Sequence, residues 1–339
     1  MSKAAPYRTR PEGGSNKMVN ETFEGKTEGR VVMISMRILM LTCIISLGIT
    51  GCHGDDATAK DDTVARLVET TRNNLLPVKG GDFLMGDFGE RHSSERLPYT
   101  GEPNAQPLHE VRLSDFSMLK WKVSNDEYNV FASQNNRRKV NDREADATSE
   151  RIARLPDSGR FPAMVLWKEA QDYCAWLGEK LGQKMNLPTE AQWEYAARDG
   201  GKFYIFATND GSFRNGVNVI SHEQAEAISQ DPFFPVPVGS APANSSGLGD
   251  FAKSGLEWVR DWYDDNYYAH SSKLDPAGPA AGDLKVVRGA QASSSVPAMT
   301  MARKGRRPDG VDEKVDKLFK EQGFKPIRFG ATFRCVTQQ

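Results

Sequence analysis

The chain has 339 residues, enough for one large domain or two small ones. Its 44 lysines and arginines nearly balance 45 aspartates and glutamates, and the formal net charge of −1 argues against a nucleic acid as the main partner. The 30 glycines, 18 prolines and 38% hydrophobic residues predict short elements and much irregular backbone. No apolar run reaches the roughly 20 residues that a membrane-spanning helix needs.

A shorter apolar run lies near the start, where residues 36–56 read MRILMLTCIISLGITGCHGDD. Arg37 supplies the charged region of a signal peptide, and residues 38–50 form its apolar segment. Residues 49–52 form a small-residue cleavage site that ends in cysteine. The pattern resembles a bacterial lipoprotein signal at residues 36–51, in which Cys52 becomes the lipidated first residue of the mature protein. The alternative is a buried amphipathic segment.

Residues 1–35 are polar and rich in glycine and proline, which fits poorly with a position ahead of a signal peptide. We therefore expect translation to start at Met33 or Met36, with residues 1–35 an overcalled start or disordered. Residues 52–75 then form a polar tether and a short helix over residues 63–75. Because His53 and not aspartate follows Cys52, the resembled pathway implies a lipid-anchored, extracytoplasmic protein, in the outer membrane if the organism has two membranes.

The next elements follow from apolar periodicity and from turn residues. Residues 78–89 (VKGGDFLMGDFG) predict an alternating strand, and residues 109–131 predict a strand, a turn and a helix capped by Ser124. Residues 134–160 are densely charged and predict a surface excursion. Residues 161–182 predict a short strand and then a helix.

The stretch LPTEAQWEYAARDGG at residues 187–201 predicts a well-capped helix. Thr189 lies at the N-cap position, and Gln192 three residues later completes a capping-box pattern. Trp193 and two alanines fall on one face, and the paired glycines end the helix.

A second helix is predicted towards the end of the chain, where one apolar stripe precedes Gly323. Two interpretations of this stripe remain open, packing onto the domain or docking of a partner. Its members are Val311, Val315, Leu318 and Phe319.

No linker or internal repeat divides the remaining chain, which predicts one domain over residues 76–337. Its landmarks occur in one order: GGDFLMG, HEVRLSDF, KVSNDEY, FPAMVLWKEAQDYCAWLG, LPTEAQWEYAAR, GLGDF, EWVRDWY, KVVRGA and ATFRC. Together they resemble the formylglycine-generating enzyme family, also called the sulfatase-modifying factor domain. The resemblance implies an α+β fold, a variant of the C-type lectin fold with small twisted antiparallel sheets, few helices and long loops.

The resemblance also locates the redox site of the family. Its founding enzymes oxidise a substrate cysteine to formylglycine with copper held by two thiols, five residues apart, after an RGG segment. Those positions fall here on Ser294 and Met299, and Ala290 replaces the second glycine. Cu(I) prefers thiolate ligands, so copper is not expected and no catalytic residue is assigned.

A second catalytic branch of the family uses clustered histidines to hold iron. Histidine ligands of that kind would have to lie close together, for example at helical spacing on one face. No two of the five histidines are within helical reach of each other, which argues against an iron site formed by neighbouring residues. They are His53, His92, His109, His222 and His270.

The cysteines have other assignments. Cys43 would leave with the signal peptide and Cys52 would carry lipid, so the mature chain keeps Cys174 and Cys335. In the family these two positions match a structural disulfide, which could form and persist outside the cytoplasm.

The resemblance further implies a calcium site. Its ligands would be the Asn218 side chain, the Val219 carbonyl, the Asp231 side chain and the Phe233 carbonyl, a mix of oxygens that suits Ca²⁺. The alternative is an ordinary Asn/Asp turn pair.

A weaker calcium candidate lies in the stretch KSGLEW at residues 253–258. Glu257 is retained there, but Ser254 replaces the usual asparagine and Lys253 adds a positive charge.

These patterns favour a non-catalytic binding or assembly lipoprotein, held in the lipid bilayer through Cys52. As an accessory of a secretion or surface machine, it would act with a protein partner in the periplasm or at the cell surface. The alternative is a formylglycine-generating or non-haem-iron oxidoreductase of the same family. A displayed, diversified binder is a third class, but residues 292–307 lack the dense Asn and Tyr content expected of one.

Overall fold

A computed structural model describes residues 54–140, 154–155, 157–230, 235–323 and 328–337, and for residues 54–60 it describes the backbone alone. All of them belong to one compact unit, Cys52–Gln339. The predicted signal peptide, Cys52, Asp231 and Phe233 lie outside the described residues. Within those ranges, no helix combines the length and the apolar character that crossing a membrane requires.

The helices follow the capping signals of the sequence. At the start of the helix Asn125–Gln134 (α3), the Ser124 hydroxyl accepts a hydrogen bond from the Glu127 N–H. The Glu127 carboxylate in turn accepts one from the Ser124 N–H at 2.7 Å. Thr189 and Gln192 form the same reciprocal pair at the start of α5, with distances of 3.1 and 2.9 Å. The helices are α1 (Gly54–Asn74), α2 (Gly89–His92), α3 (Asn125–Gln134), α4 (Trp167–Leu181), α5 (Glu190–Ala197), α6 (His222–Ser229) and α7 (Glu313–Glu321).

Within the described residues the strands form three small antiparallel sheets, in the orders β1-β4-β9-β5, β2-β3 and β6-β7-β8. The α+β class and the small antiparallel sheets are therefore confirmed. The strands are β1 (Leu75–Val78), β2 (Asp82–Met85), β3 (His109–Arg112), β4 (Phe116–Leu119), β5 (Met185–Asn186), β6 (Glu257–Trp262), β7 (Lys285–Arg288), β8 (Lys304–Arg306) and β9 (Val336–Thr337).

Two element boundaries differ from the expectation. The first helix begins at Gly54, inside the segment expected to be a tether, and it ends where β1 begins. The single strand expected over residues 78–89 is two strands, β1 and β2, which belong to different sheets. Gly80 lies between them, and a Cβ there would come within 2.2 Å of the Leu113 carbonyl oxygen. The close approach of this backbone requires glycine.

Two hydrophobic clusters form the core, one around α3 and α4 and the other around α5 and the sheet of β6 and β7. Cys174 of α4 and Cys335, just before β9, form a disulfide in the first cluster, and both residues are fully buried. Trp193 of α5 lies in the second cluster and is 0% exposed. Both clusters place the landmarks of the sequence in the interior.

The amphipathic helix α7 is covered only in part. Val311, Val315 and Phe319 are half-buried, whereas Leu318 is 50% exposed. The buried residue of this helix is Asp316, which is paired with Arg328 at 3.0 Å. Packing and partner docking therefore both remain open for the stripe.

Candidate functional site

The loop of residues 290–299, here called the redox loop, carries Ser294 and Met299, where the resemblance predicts the positions of the family's copper-binding thiols. It follows β7 through Gly289, whose φ is +91°. The Ser294 hydroxyl donates to the Val296 carbonyl at 2.7 Å, and the Ser294 N–H donates to the Gln291 carbonyl at 3.0 Å. The hydroxyl therefore stabilises a local turn.

The end of the redox loop pairs with residues 205–207. Met299 forms an isolated β-bridge with Phe206, the Ala207 N–H donates to the Ala298 carbonyl at 2.8 Å, and the Thr300 N–H donates to the Ile205 carbonyl at 2.9 Å. The hydrogen-bonded hydroxyl is not a soft ligand, and the neutral thioether is a weaker ligand for Cu(I) than a thiolate, so these two side chains do not supply the pair of thiolates that the family's copper site uses.

Next to this loop the interior holds a group of buried ions, here called the α5 charge network. Glu190 and Glu194, one turn apart on α5, are 2% and 0% exposed. Arg288 of β7 joins them, with Nη1 at 2.8 Å from Glu190 Oε1 and Nη2 at 2.7 Å from Glu194 Oε2. The helix of the LPTEAQWEYAAR motif is thereby fixed to the sheet of β6 and β7.

Two further arginines complete the α5 charge network. Arg303 binds both oxygens of Glu190, at 2.7 and 2.9 Å. Arg198 contacts Glu194 at 3.0 Å and donates to the carbonyls of Leu84 and Gly86. Multiple charge-assisted hydrogen bonds compensate the cost of burying these ions.

Asp261 of β6 borders the α5 charge network. Its Oδ2 accepts the N–H of Glu190, the first residue of α5, at 3.0 Å. Burial, and then the negative charge of Glu190, raises the pKa of Asp261 to about 7. This carboxyl therefore titrates near neutral pH.

Sequence analysis missed these ions as a group. The usable signal was the spacing of Glu190, Glu194 and Arg198, which recur every four residues on one helical face. Their partner Arg288 lies in the KVVRGA landmark, 94 residues beyond Glu194. No local pattern predicts that pairing.

The described half of the first calcium candidate has the oxygens that the site needs. Asn218 is 2% exposed, and its Oδ1 accepts the Arg214 N–H at 2.8 Å. The Val219 carbonyl accepts the Gly216 N–H at 2.7 Å. Each oxygen keeps a second lone pair, so the donor types fit Ca²⁺. Asp231 and Phe233 are outside the described ranges, and the site stays a prediction.

The two calcium candidates share one cavity of about 20 Å³, which has room for about one water molecule. Asn218 and Val219 of the first candidate line it together with Lys253 and Ser254 of the second. The tertiary structure therefore brings residues 218–219 and 253–254 together.

Glu257, the carboxylate of the second candidate, lies away from that cavity. It is 0% exposed, and Arg334 binds it through Nε at 2.6 Å and Nη2 at 3.1 Å. The Lys122 ammonium lies 3.8 Å from its Oε1. Burial lowers the pKa of Lys122 to about 8, although the charge of Glu257 opposes this shift. Side-chain cations already neutralise the oxygen that a metal would need.

No group of three or more His, Cys, Asp or Glu side chains suited to a metal occurs in the part of the chain that the structure describes. Two of the described histidines contact other oxygens: His92 contacts the Tyr99 hydroxyl, and His109 contacts the Pro107 carbonyl.

A family model described as the sulfatase-modifying factor enzyme 1-like domain matches residues 61–325. A formylglycine-generating enzyme of Streptomyces coelicolor is 30% identical over 276 residues, which cover 69% of this chain and 82% of that protein. An inactive C-alpha-formylglycine-generating enzyme 2 of Bos taurus is 24% identical, with 71% of this chain and 86% of that protein covered.

A longer relative, named serine/threonine-protein kinase pkn1 in Chlamydia caviae, is 28% identical over 68% of this chain. The match covers only 36% of that protein. Among solved structures, PvdO from Pseudomonas aeruginosa is similar with a TM-score of 0.54 at 19% identity, over 78% of this chain and 94% of the other. That similarity concerns the fold.

Proposed function

The chain belongs to the sulfatase-modifying factor family, and on that premise we propose that it is a non-catalytic binding or assembly lipoprotein built on the family's fold. One observation above all supports this function. Ser294 and Met299 occupy the positions of the copper-binding thiols, and the Ser294 hydroxyl donates to the Val296 carbonyl. Copper-dependent oxidation of a thiol requires thiolates that hold Cu(I), and neither side chain supplies one.

The remaining thiols do not replace them. Cys174 and Cys335 form a disulfide between α4 and the end of the chain, inside the first hydrophobic cluster. Among the relatives one is named a formylglycine-generating enzyme and another an inactive C-alpha-formylglycine-generating enzyme 2, so membership of the family does not decide the activity of this member.

The binding role includes an anchor and a partner. Cys52 would carry lipid and hold the domain on the outer side of a membrane, where it would bind a protein of the periplasm or of the cell surface. The signal-like pattern at residues 36–51 supports this anchor. Cells fed a labelled fatty acid are expected to label the protein, and Cys52→Ala is expected to abolish the label and release the protein from membranes.

An activity assay tests the non-catalytic role directly. Copper-loaded protein, a cysteine-containing sulfatase peptide and oxygen are expected to give no aldehyde above a no-protein control. A Cu(I) titration is expected to show no binding above background. The double variant Ser294→Cys/Met299→Cys is the matched control, and it is expected to gain Cu(I) binding because it restores two thiolates at the family positions.

Turnover by the unchanged protein would contradict the proposal and favour the oxidoreductase alternative. If that turnover disappeared in Met299→Ala, the thioether would be identified as a ligand. If turnover required added iron and not copper, the non-haem-iron branch of the family would be favoured.

A further inference from the structure

The ammonium of Lys122 lies in a closed shell of protein oxygens. Its Nζ is 2.6 Å from the Gly255 carbonyl, 3.1 Å from the Thr332 hydroxyl and 3.2 Å from the Lys253 carbonyl. The carboxylate of Glu257 lies at 3.8 Å, and both charged side chains are 0% exposed. We call these four oxygen-bearing residues and Lys122 the oxygen cage.

The oxygen cage joins segments that are far apart in the sequence. Lys122 precedes α3, the two carbonyls belong to the loop before β6, and Thr332 lies near the end of the chain, 210 residues from Lys122. The backbone between the two carbonyls is unusual, because Ser254 has a φ of +72° and Gly255 a φ of +108°. Two alternate carbonyls of this strained turn contact the same ammonium.

The oxygen atoms around Lys122 resemble the ligand shell of a hard metal ion. Main-chain carbonyls, a hydroxyl and a carboxylate are the ligands that calcium takes in proteins, whereas an ion pair alone needs only the carboxylate. Glu257 is already bound by Arg334 through two hydrogen bonds, so Lys122 is not needed to neutralise it. The lysine instead donates hydrogen bonds to the two carbonyls and the hydroxyl that converge on it.

We propose that the oxygen cage is a cation site whose resident cation is the Lys122 ammonium, and that it takes calcium when this ammonium is removed. The intact protein then needs no metal at Glu257, in contrast to the weaker calcium candidate of the sequence. The cage concerns the assembly of the fold, so it does not depend on whether the protein is catalytic.

A second buried lysine provides the contrast. Lys285 Nζ lies 3.9 Å from the ring centroid of Trp167 and 3.5 Å from that of Trp262, and it donates to the Arg260 carbonyl at 2.9 Å. Indole faces hold an ammonium by cation–π attraction but offer no oxygen ligands. Removal of Lys285 therefore leaves a site that does not suit calcium.

Calorimetric titration of calcium into Lys122→Ala tests the proposal, with the wild-type protein and Lys285→Ala as matched controls. Lys122→Ala is expected to bind one more equivalent of Ca²⁺ than the wild type, and Lys285→Ala none more. Comparison with the wild type subtracts any calcium at Asn218. At about a hundred times the Kd, calcium is expected to raise the Tm of Lys122→Ala by roughly 5 °C beyond its effect on the wild type.

If Lys122→Ala does not fold in buffer, refolding of this variant in the presence of divalent cations tests the proposal. Recovery of the folded variant in Ca²⁺, but not in Mg²⁺, supports the proposal, because the smaller ion demands near-octahedral geometry. A folded variant with no additional calcium overturns it. A variant that stays unfolded in calcium also overturns it, since the metal then does not replace the ammonium.

Discussion

Arg288 and Arg303 of the α5 charge network flank the redox loop in sequence, yet the network and the loop differ in burial and in hydrogen bonding. The network is buried and its ions are bound several times over, as Glu190 is by Arg288 and Arg303. The redox loop is half-exposed, with Val296 52% exposed, and the hydrogen bonds of Ser294 are local. Only the loop carries Ser294 and Met299, the positions predicted for the family's copper-binding thiols.

This difference separates two roles of the family's landmarks. LPTEAQWEYAAR and KVVRGA supply Glu190, Glu194 and Arg288, so their order is required by the fold whether or not the protein is an enzyme. Loss of one charged side chain would leave its partners buried without a counter-charge and would destabilise the fold. This cost keeps the motif intact. The redox loop holds no buried ion pair at Ser294 or Met299, so we expect substitution at these two positions to disturb the core less.

The largest expected change in the free energy of unfolding comes from removing one ion of the α5 charge network. Glu194→Gln leaves Arg288 and Arg198 short of a carboxylate, and it is expected to reduce the free energy of unfolding by about 3–5 kcal/mol. Ser294→Ala, in the redox loop, is expected to change it by less than about 0.5 kcal/mol. Urea unfolding of both variants measures the difference. Equal effects would remove the distinction between the two regions.

Loss of the disulfide is expected to be next in size. Cys174 and Cys335 are 161 positions apart in the sequence, and the long loop that they close predicts a loss of about 2–5 kcal/mol in Cys174→Ala/Cys335→Ala. Peptide mapping of the exported, non-reduced protein is expected to link the two cysteines. Two free thiols in that protein would contradict the assignment and make sulfur available for other chemistry.

Calcium removal tests whether an inherited metal site persists outside the redox loop. Saturating Ca²⁺, at about a hundred times its Kd, is expected to add roughly 2.7 kcal/mol to the free energy of unfolding, since the unfolded chain presents no assembled site. Asn218→Ala is expected to abolish the increase because it removes one oxygen ligand. Identical melting curves in chelator and in excess calcium would show that the Asn218 turn binds no metal.

Per pH unit, the smallest expected effect is the pH dependence that Asp261 gives to the free energy of unfolding. The folded pKa of Asp261 is about 7, above its usual value of 3.8, so its contribution to stability is present below pH 3.8 and is lost as pH rises to about 7. Over that window the wild type is expected to lose up to about 1.4 kcal/mol per pH unit relative to Asp261→Asn. Denaturant unfolding at several pH values measures the slope. Parallel curves for the two proteins would show that Asp261 is already ionised.

The sequence by itself determined the local elements. Capping boxes at Ser124 and Thr189 are satisfied within four residues, so they could be predicted from spacing alone. The assignment of Ser294 and Met299 to the family's thiol positions rests on the ordered set of landmarks and stays a prediction. The strand predicted over residues 78–89 failed because Gly80 allows a close backbone approach to Leu113, a contact with a distant segment.

Only the tertiary structure decided which buried charges meet. Arg288 and Glu190 are 98 positions apart, and Lys122 and Thr332 are 210 apart, so no periodic pattern encodes either contact. It also decided that Glu257 contacts Arg334 and Lys122, whereas Ser254 lines the cavity with Asn218. Side chains of one segment can serve separate sites because the fold, and not the chain order, sets which oxygens converge on a cation.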